Sequence, residues 1–153
     1  QVEQVAGKFK KILVCLDGST LAEQVLEFAN SLAHCLQAEL ILLRVIEPAN
    51  LLFDMETADQ VQESVNALER GEAEAYLNAL IHDLPSAENI LSTYTLTGPP
   101  ADTIIDFAKE QQVDLIAMSS HGRSGISRWV YGSVAEKVMR GATCATFIMR
   151  GKN

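Results

Sequence analysis

The sequence predicts an α/β fold: a single doubly wound, five-stranded parallel sheet with helices on both faces, for which the order 3-2-1-4-5 is taken. Three observations predict it. Short, nearly continuous apolar runs at Lys11–Leu16 (KILVCL), Glu39–Ile46 (ELILLRVI) and Asp114–Met118 (DLIAM) have the character of strands buried on both faces. Segments with apolar residues at helical spacing alternate with these runs, the pattern of successive βαβ units. Finally, 153 residues without internal repeat, low-complexity tract or linker make one domain with its own core.

In chain order, the first strand ends in Asp17-Gly18-Ser19. Thr20-x-x-Glu23 has the form of a capping box, and the helix behind it carries Leu21, Val25, Phe28, Leu32 and Leu36 at helical spacing. After the second strand, 47–59 is a loop with apolar residues at Leu51, Leu52, Phe53 and Met55. Gln60 to Asp83 is helical in composition, with Val61, Val65 and Leu68 on one face and Gly71 as a weak point. Asn89 to Leu96 alternates through Ile90, Ser92, Tyr94 and Leu96, which suits a sheet edge. Gly98-Pro99-Pro100 breaks that strand and opens a helix whose apolar face holds Ile104, Ile105 and Ala108. The fourth strand then leads through a glycine-bearing loop into a helix over Val134–Arg140, with Gly141 where a C-cap is expected. Ala145 to Met149 is the fifth strand.

Composition narrows the function. A net charge of −8 argues against nucleic acid as a partner, since phosphate-backbone affinity needs a basic face. No apolar run approaches the roughly 20 residues of a membrane span, and Gln1 to Lys10 is polar, unlike a signal peptide. Cys15, Cys35 and Cys144 are widely spaced with no C-x-x-C, which fits a reducing compartment; the expected location is cytoplasmic. There is no Walker-type phosphate loop, G-x-G-x-x-G, paired acids after the first strand, metal-spaced His or Cys, or G-x-S-x-G. Conventional hydrolytic and redox enzymes therefore have little support.

The stretch from Met118 to Val134 holds the chemistry. Strand, glycine loop and helix N-terminus together make an anion site, because the first helical N–H groups lack intrahelical partners and the dipole there is positive. Between Ser119 and Gly141 stand Arg123, Arg128, Lys137 and Arg140 against one acid, Glu136. In the order 3-2-1-4-5, strands 1 and 4 flank the reversal of strand order, so Asp17 and the glycine loop face one crevice.

These residues resemble the universal stress protein family. Its nucleotide-binding members carry G-x-x-G, nine residues, then G-[ST]; here Gly122, nine residues and Gly132-Ser133 follow the strand that ends at Met118. The resemblance continues in Leu16-Asp17-Gly18-Ser19, Leu43-Arg44-Val45 and His121-Gly122-Arg123-Ser124-Gly125, in matching order over nearly the whole chain. It implies a Rossmann-like domain over residues 8–150 with an N-terminal extension, 1–7. It also implies an adenine nucleotide, ATP or AMP, with Mg²⁺ accompanying ATP near Asp17. By position the nucleotide-binding set is Leu16, Asp17, Val45, Met118, Ser119, His121, Gly122, Arg123, Gly132, Ser133 and Val134. Asp17 would meet the ribose, the Val45 backbone the adenine edge, Met118 and Ser119 the base and sugar, and Gly122, Gly132, Ser133 and Val134 the phosphates.

Ser119 departs from the family pattern, standing where it has its first glycine. Several of these residues have a simpler reading. Ser133-x-x-Glu136 is also a capping box, Asp17 also suits a cap on the turn into the first helix, and His121, Arg123 and Arg128 also suit a solvent-facing loop. The function implied is a stress-response sensor or regulator rather than an enzyme, with at most weak ATP hydrolysis, or autophosphorylation at Ser124 or Ser127. The rival reading is a nucleotide-free protein-interaction module of the same family. The apolar edge strand 145–149 and the resemblance both point to a homodimer through that strand, beside a regulatory protein partner of unknown identity.

Overall fold

The computed structural model describes residues 9–48, 58–84, 87–120 and 132–150. The strands are β1 (Lys11–Cys15), β2 (Glu39–Ile46), β3 (Ile90–Thr97), β4 (Leu115–Ser119) and β5 (Ala145–Met149). The helices are α1 (Thr20–Leu36), α2 (Ala58–Asp83), α3 (Pro100–Glu110) and α4 (Ser133–Gly141), with a short 3-10 turn at Ala87–Asn89. All neighbouring strands pair in parallel, and the order is β3-β2-β1-β4-β5, as the sequence predicts.

Alternation along the central strands splits the core into two layers. Ile12, Val14, Leu40, Leu42, Leu115 and Ala117 face α1 and the C-terminal half of α2. Leu13, Cys15, Ile41, Leu43, Ile116 and Met118 face α3 and α4. At the N-terminal end of the sheet, Lys10 and Lys11 donate their backbone N–H groups to Asp114 Oδ2 at 2.8 and 3.0 Å. Asp114 N donates in turn to the Lys11 carbonyl at 3.0 Å, which fixes where β1 and β4 begin.

Four local expectations change. The cap of α1 is Ser19, one residue before Thr20: its hydroxyl accepts from Ala22 N at 3.2 Å, and Glu23 instead accepts from the Tyr76 hydroxyl at 3.3 Å. The buried face of α1 is Ala22, Val25, Leu26, Ala29 and Ala33, so small residues bring the helix close to the sheet. Phe28, expected in that face, is 42% exposed and stacks on Phe147 of β5 with ring centroids 4.5 Å apart.

In α2 the core contact begins at Ala73 and continues through Leu77, Leu80 and Ile81. Val61 and Leu68, expected to face inward, are 39% and 65% exposed. The cause is helical rotation: at 3.6 residues per turn, Val61, Val65 and Leu68 lie roughly 130° round the axis from Ala73 and Leu77. Gly141 is the last residue of α4 rather than a left-handed cap. A Cβ there would sit 2.6 Å from Ile105 Cδ1, so its smallness serves the packing of α4 on α3. The apolar loop segment Leu51–Met55 lies outside the described residues.

Gly71 stands within α2 with open space around its Cβ position. Gly71→Ala is therefore expected to raise stability by about 0.5–1 kcal/mol, measured by chemical denaturation. A loss of stability would show that α2 is not a continuous helix through this point.

Candidate functional site

A cleft of about 340 Å³ opens at the C-terminal ends of β1, β2 and β4, where the chain order reverses between β1 and β4. Its wall includes Leu16 and Asp17 after β1, Leu43 and Val45 of β2, Met118 and Ser119 of β4, and Gly132, Ser133 and Val134 at the start of α4. Eight of the predicted site residues thus meet in one place: Leu16, Asp17, Val45, Met118, Ser119, Gly132, Ser133 and Val134. His121, Gly122 and Arg123, with Ser124, Ser127, Arg128, Trp129 and Tyr131, lie outside the described residues.

The backbone explains this convergence. Leu16 N donates to the Leu43 carbonyl at 2.9 Å, which carries the β1 ladder past the end of the strand. Gly18 then takes φ +84°, a left-handed conformation that costs a glycine little, and Ser19 N donates to Asp17 Oδ1 at 3.0 Å. Asp17 accordingly organises the turn into α1 while its side chain remains on the cleft wall.

On the other side, Ser120 N donates to the Met149 carbonyl at 2.8 Å, and the Ser120 carbonyl accepts from Gly132 N at 2.7 Å. The end of β4 and the start of α4 are thus held together by the Ser120–Gly132 bond. Gly132 is the N-cap of α4 and supplies no side-chain cap bond. The predicted capping box at Ser133 does not form, because Ser133 is already helical and exposed and Glu136 bonds Arg140 at 2.8 Å. Ser133, Val134 and Ala135 consequently bring the uncapped, dipole-positive end of α4 to the cleft.

Two of the four basic residues of the predicted island, Arg123 and Arg128, lie outside the described residues. The carboxylates of the described wall are Asp17 and Glu47, with no Lys or Arg among the described residues. Arg140 is held by Glu136, and Lys137 is exposed. The donors on the described wall are therefore backbone N–H groups and serine hydroxyls rather than cationic side chains.

Sequence reasoning also missed Cys15, Leu43, Glu47, Pro100, Ile104, Ser120 and Ala135 on the wall. The signal for most of them was their place at a strand C-terminus or helix start; Ile104 needs the packing of α3. Burial pushes the Cys15 thiol up to about 12, with the nearby Cys144 adding to the effect. Tyr76, whose ring lies under Arg44, is likewise pushed up to about 12, first by burial and then by Glu23. No group of three His, Cys, Asp or Glu able to hold a metal ion occurs among the described residues, and no helix there is long and apolar enough to cross a membrane.

Fold and cleft together define a Rossmann-like α/β domain with its ligand crevice at the strand-order reversal. The chain belongs to the universal stress protein family, whose model matches residues 8–150. Universal stress protein YxiE of Bacillus subtilis is 33% identical over 156 residues, covering 93% of this chain and 99% of its own. The structure of universal stress protein UspA from Lactobacillus plantarum matches with a TM-score of 0.80 at 26% identity, covering 94% of this chain and 99% of its own. A universal stress protein solved in complex with cAMP shares the fold at TM-score 0.60 and 23% identity, over 94% of this chain and 98% of its own. So does the universal stress protein from Archaeoglobus fulgidus in complex with dAMP, at 0.59 and 21%, over 92% and 98%.

Ser133→Ala is expected to leave stability within about 0.5 kcal/mol, because no cap bond is lost; a drop of 1 kcal/mol or more in denaturant unfolding would restore the capping role. Cys15 should be the last thiol to react with a thiol reagent in the native protein, and exposed Cys35 the first. The same raised value lowers stability as pH rises from 9.0 toward about 12, since only the unfolded chain releases the Cys15 proton there. Unfolding curves across that window check the sign.

Proposed function

We propose that the cleft binds an adenine nucleotide, ATP or AMP, and that the protein acts as a stress-response sensor or regulator whose state is set by that nucleotide. The observation that carries this reading is the uncapped N-terminus of α4, opening with Ser133 and Val134 into a cleft at the strand-order reversal. Anionic groups are stabilised at such a helix end, and the cleft volume falls in the roughly 300–1,000 Å³ range of small-molecule sites. Two structural neighbours were solved with cAMP and dAMP, both adenine nucleotides, which supports the base assignment.

In this reading the phosphates lie against Gly132, Ser133 and Val134, with Gly122 and Arg123 contributed by the loop. The sugar lies between Asp17 and Ser119, with Leu16 and His121 completing its surroundings. The base lies toward Met118 and the Val45 backbone. Mg²⁺ would arrive on the phosphates of ATP, as is usual for a cation that sheds its water reluctantly, with Asp17 or Glu47 as the carboxylate within the cleft. The proposed role is binding, with at most weak hydrolysis of ATP. The expected setting is the cytoplasm. The expected assembly is a homodimer through the outer edge of β5, which pairs with β4 on its inner side.

Thermal unfolding with ATP, AMP, cyclic AMP and GTP, with and without Mg²⁺, tests the reading. A ligand at a hundred times its dissociation constant adds about 2.7 kcal/mol, so adenine nucleotides should raise the midpoint by roughly 5–10 °C. Ser133→Ala should reduce that shift without changing the unliganded midpoint. If no nucleotide moves the midpoint while Ser119→Gly gains binding, the chain is a nucleotide-free interaction module. Light scattering showing a monomer would remove the β5 dimer.

A further inference from the structure

We propose that the outer face of α2 is a docking surface for a basic amphipathic helical segment of a partner protein. On this surface an apolar stripe, Val61, Val65 and Leu68, leads into an acidic cavity that receives a Lys or Arg side chain. Whatever occupies the nucleotide cleft, the proposal rests on three features of α2 and its surroundings.

The first is that the amphipathicity of α2 changes sides along its length. From Ala73 onward its apolar residues enter the core, whereas Val61 and Leu68 remain 39% and 65% exposed. Toward the core this earlier part of the helix turns polar residues, Gln62 and Asn66, which hydrogen-bond each other at 3.0 Å. The stripe belongs to neither core cluster of the described residues, and apolar residues at i, i+4 and i+7 are the anchors that helix-on-helix recognition uses.

The second feature is the cavity beside it, about 290 Å³, walled by Asp17, Arg44, Val45, Ile46, Glu47, Glu69, Glu72 and Pro100. Glu69 and Glu72 stand one helical turn after Val65 and Leu68, so stripe and cavity form one continuous surface. Glu69 Oε2 is buried there without a hydrogen-bond partner among the described residues. A buried carboxylate oxygen left without a donor is costly, and an incoming cationic side chain would supply one.

The third is charge. Arg44, the one cation of that wall among the described residues, lies over the Tyr76 ring at 4.8 Å and shares the wall with four carboxylates. From Ala58 to Asp83 there are six acids, Asp59, Glu63, Glu69, Glu72, Glu74 and Asp83, and one arginine, Arg70. A second copy would bring the same acidic helix and another net charge of −8, so a basic segment is the complementary occupant. Asp17, Val45, Glu47 and Pro100 wall both the acidic cavity and the nucleotide cleft, so a docked partner touches residues that the cleft ligand also touches.

The probe is a labelled amphipathic peptide of Lys and Leu, roughly five helical turns long, titrated against the full chain beside a matched Glu and Leu peptide. Saturable binding of the basic peptide only is expected. Leu68→Glu should weaken it by about tenfold or more through loss of the apolar anchor. General attraction to an acidic protein predicts the opposite, tighter binding with the added charge. Glu69→Gln with Glu72→Gln should weaken binding several-fold with an unfolding midpoint no lower than that of the unsubstituted chain. Absent saturation, binding unchanged or tightened by Leu68→Glu, or self-association in sedimentation that Leu68→Glu abolishes would each overturn the proposal, the last by making a second copy the occupant.

Discussion

Parallel pairing of β1 with β4 is the constraint on which the rest of the structure depends. Ile12, Leu13 and Val14 stand opposite Leu115, Ile116 and Ala117, and Asp114 clasps the starts of both strands. From this pair the sheet grows one way through β2 and β3 and the other way through β5. The helices are thereby divided between the two faces, α1 and α2 on one and α3 and α4 on the other. A crevice beyond β1 and β4 is the geometric consequence, since the chain turns away from it in opposite directions on its two sides.

What fills that crevice's polar requirement is mostly backbone. The Ser120–Gly132 hydrogen bond returns the chain to its point of departure, and Gly132 begins α4 without a side-chain cap. Ser133 is thereby released from the capping role that its spacing from Glu136 had allowed. Asp17 keeps both of the roles considered for it, ordering the turn into α1 and standing on the cleft wall.

Helix α2 shows why periodicity alone misassigns a face. Val61, Val65 and Leu68 form a sound helical stripe, but a stripe carries no information about which side the body of the protein lies on. Ala73 and Leu77 decide that side, and they leave the stripe pointing outward beside the acidic cavity. The same limit explains α1, where Ala22, Ala29 and Ala33 take the inner face and bulkier Phe28 is turned to the β5 edge. Larger side chains carry more apolar area, but small ones permit closer approach of helix to sheet.

By itself the sequence determined the strands and their parallel, doubly wound arrangement, and the family resemblance it carries brought Asp17, Val45, Ser119 and Ser133 to one end of the sheet. Doubly buried parallel strands need continuous apolar runs, and chirality leaves few ways to connect them. Only the tertiary structure decided which helix faces are inside, that Ser19 rather than Thr20 caps α1, and that Ser133 caps nothing. It alone added Glu47 and Pro100 to the cleft and joined Glu69 to Asp17 across more than fifty residues of chain. Those outcomes depend on helix rotation and close approach between distant segments, which the local spacing of residues does not specify.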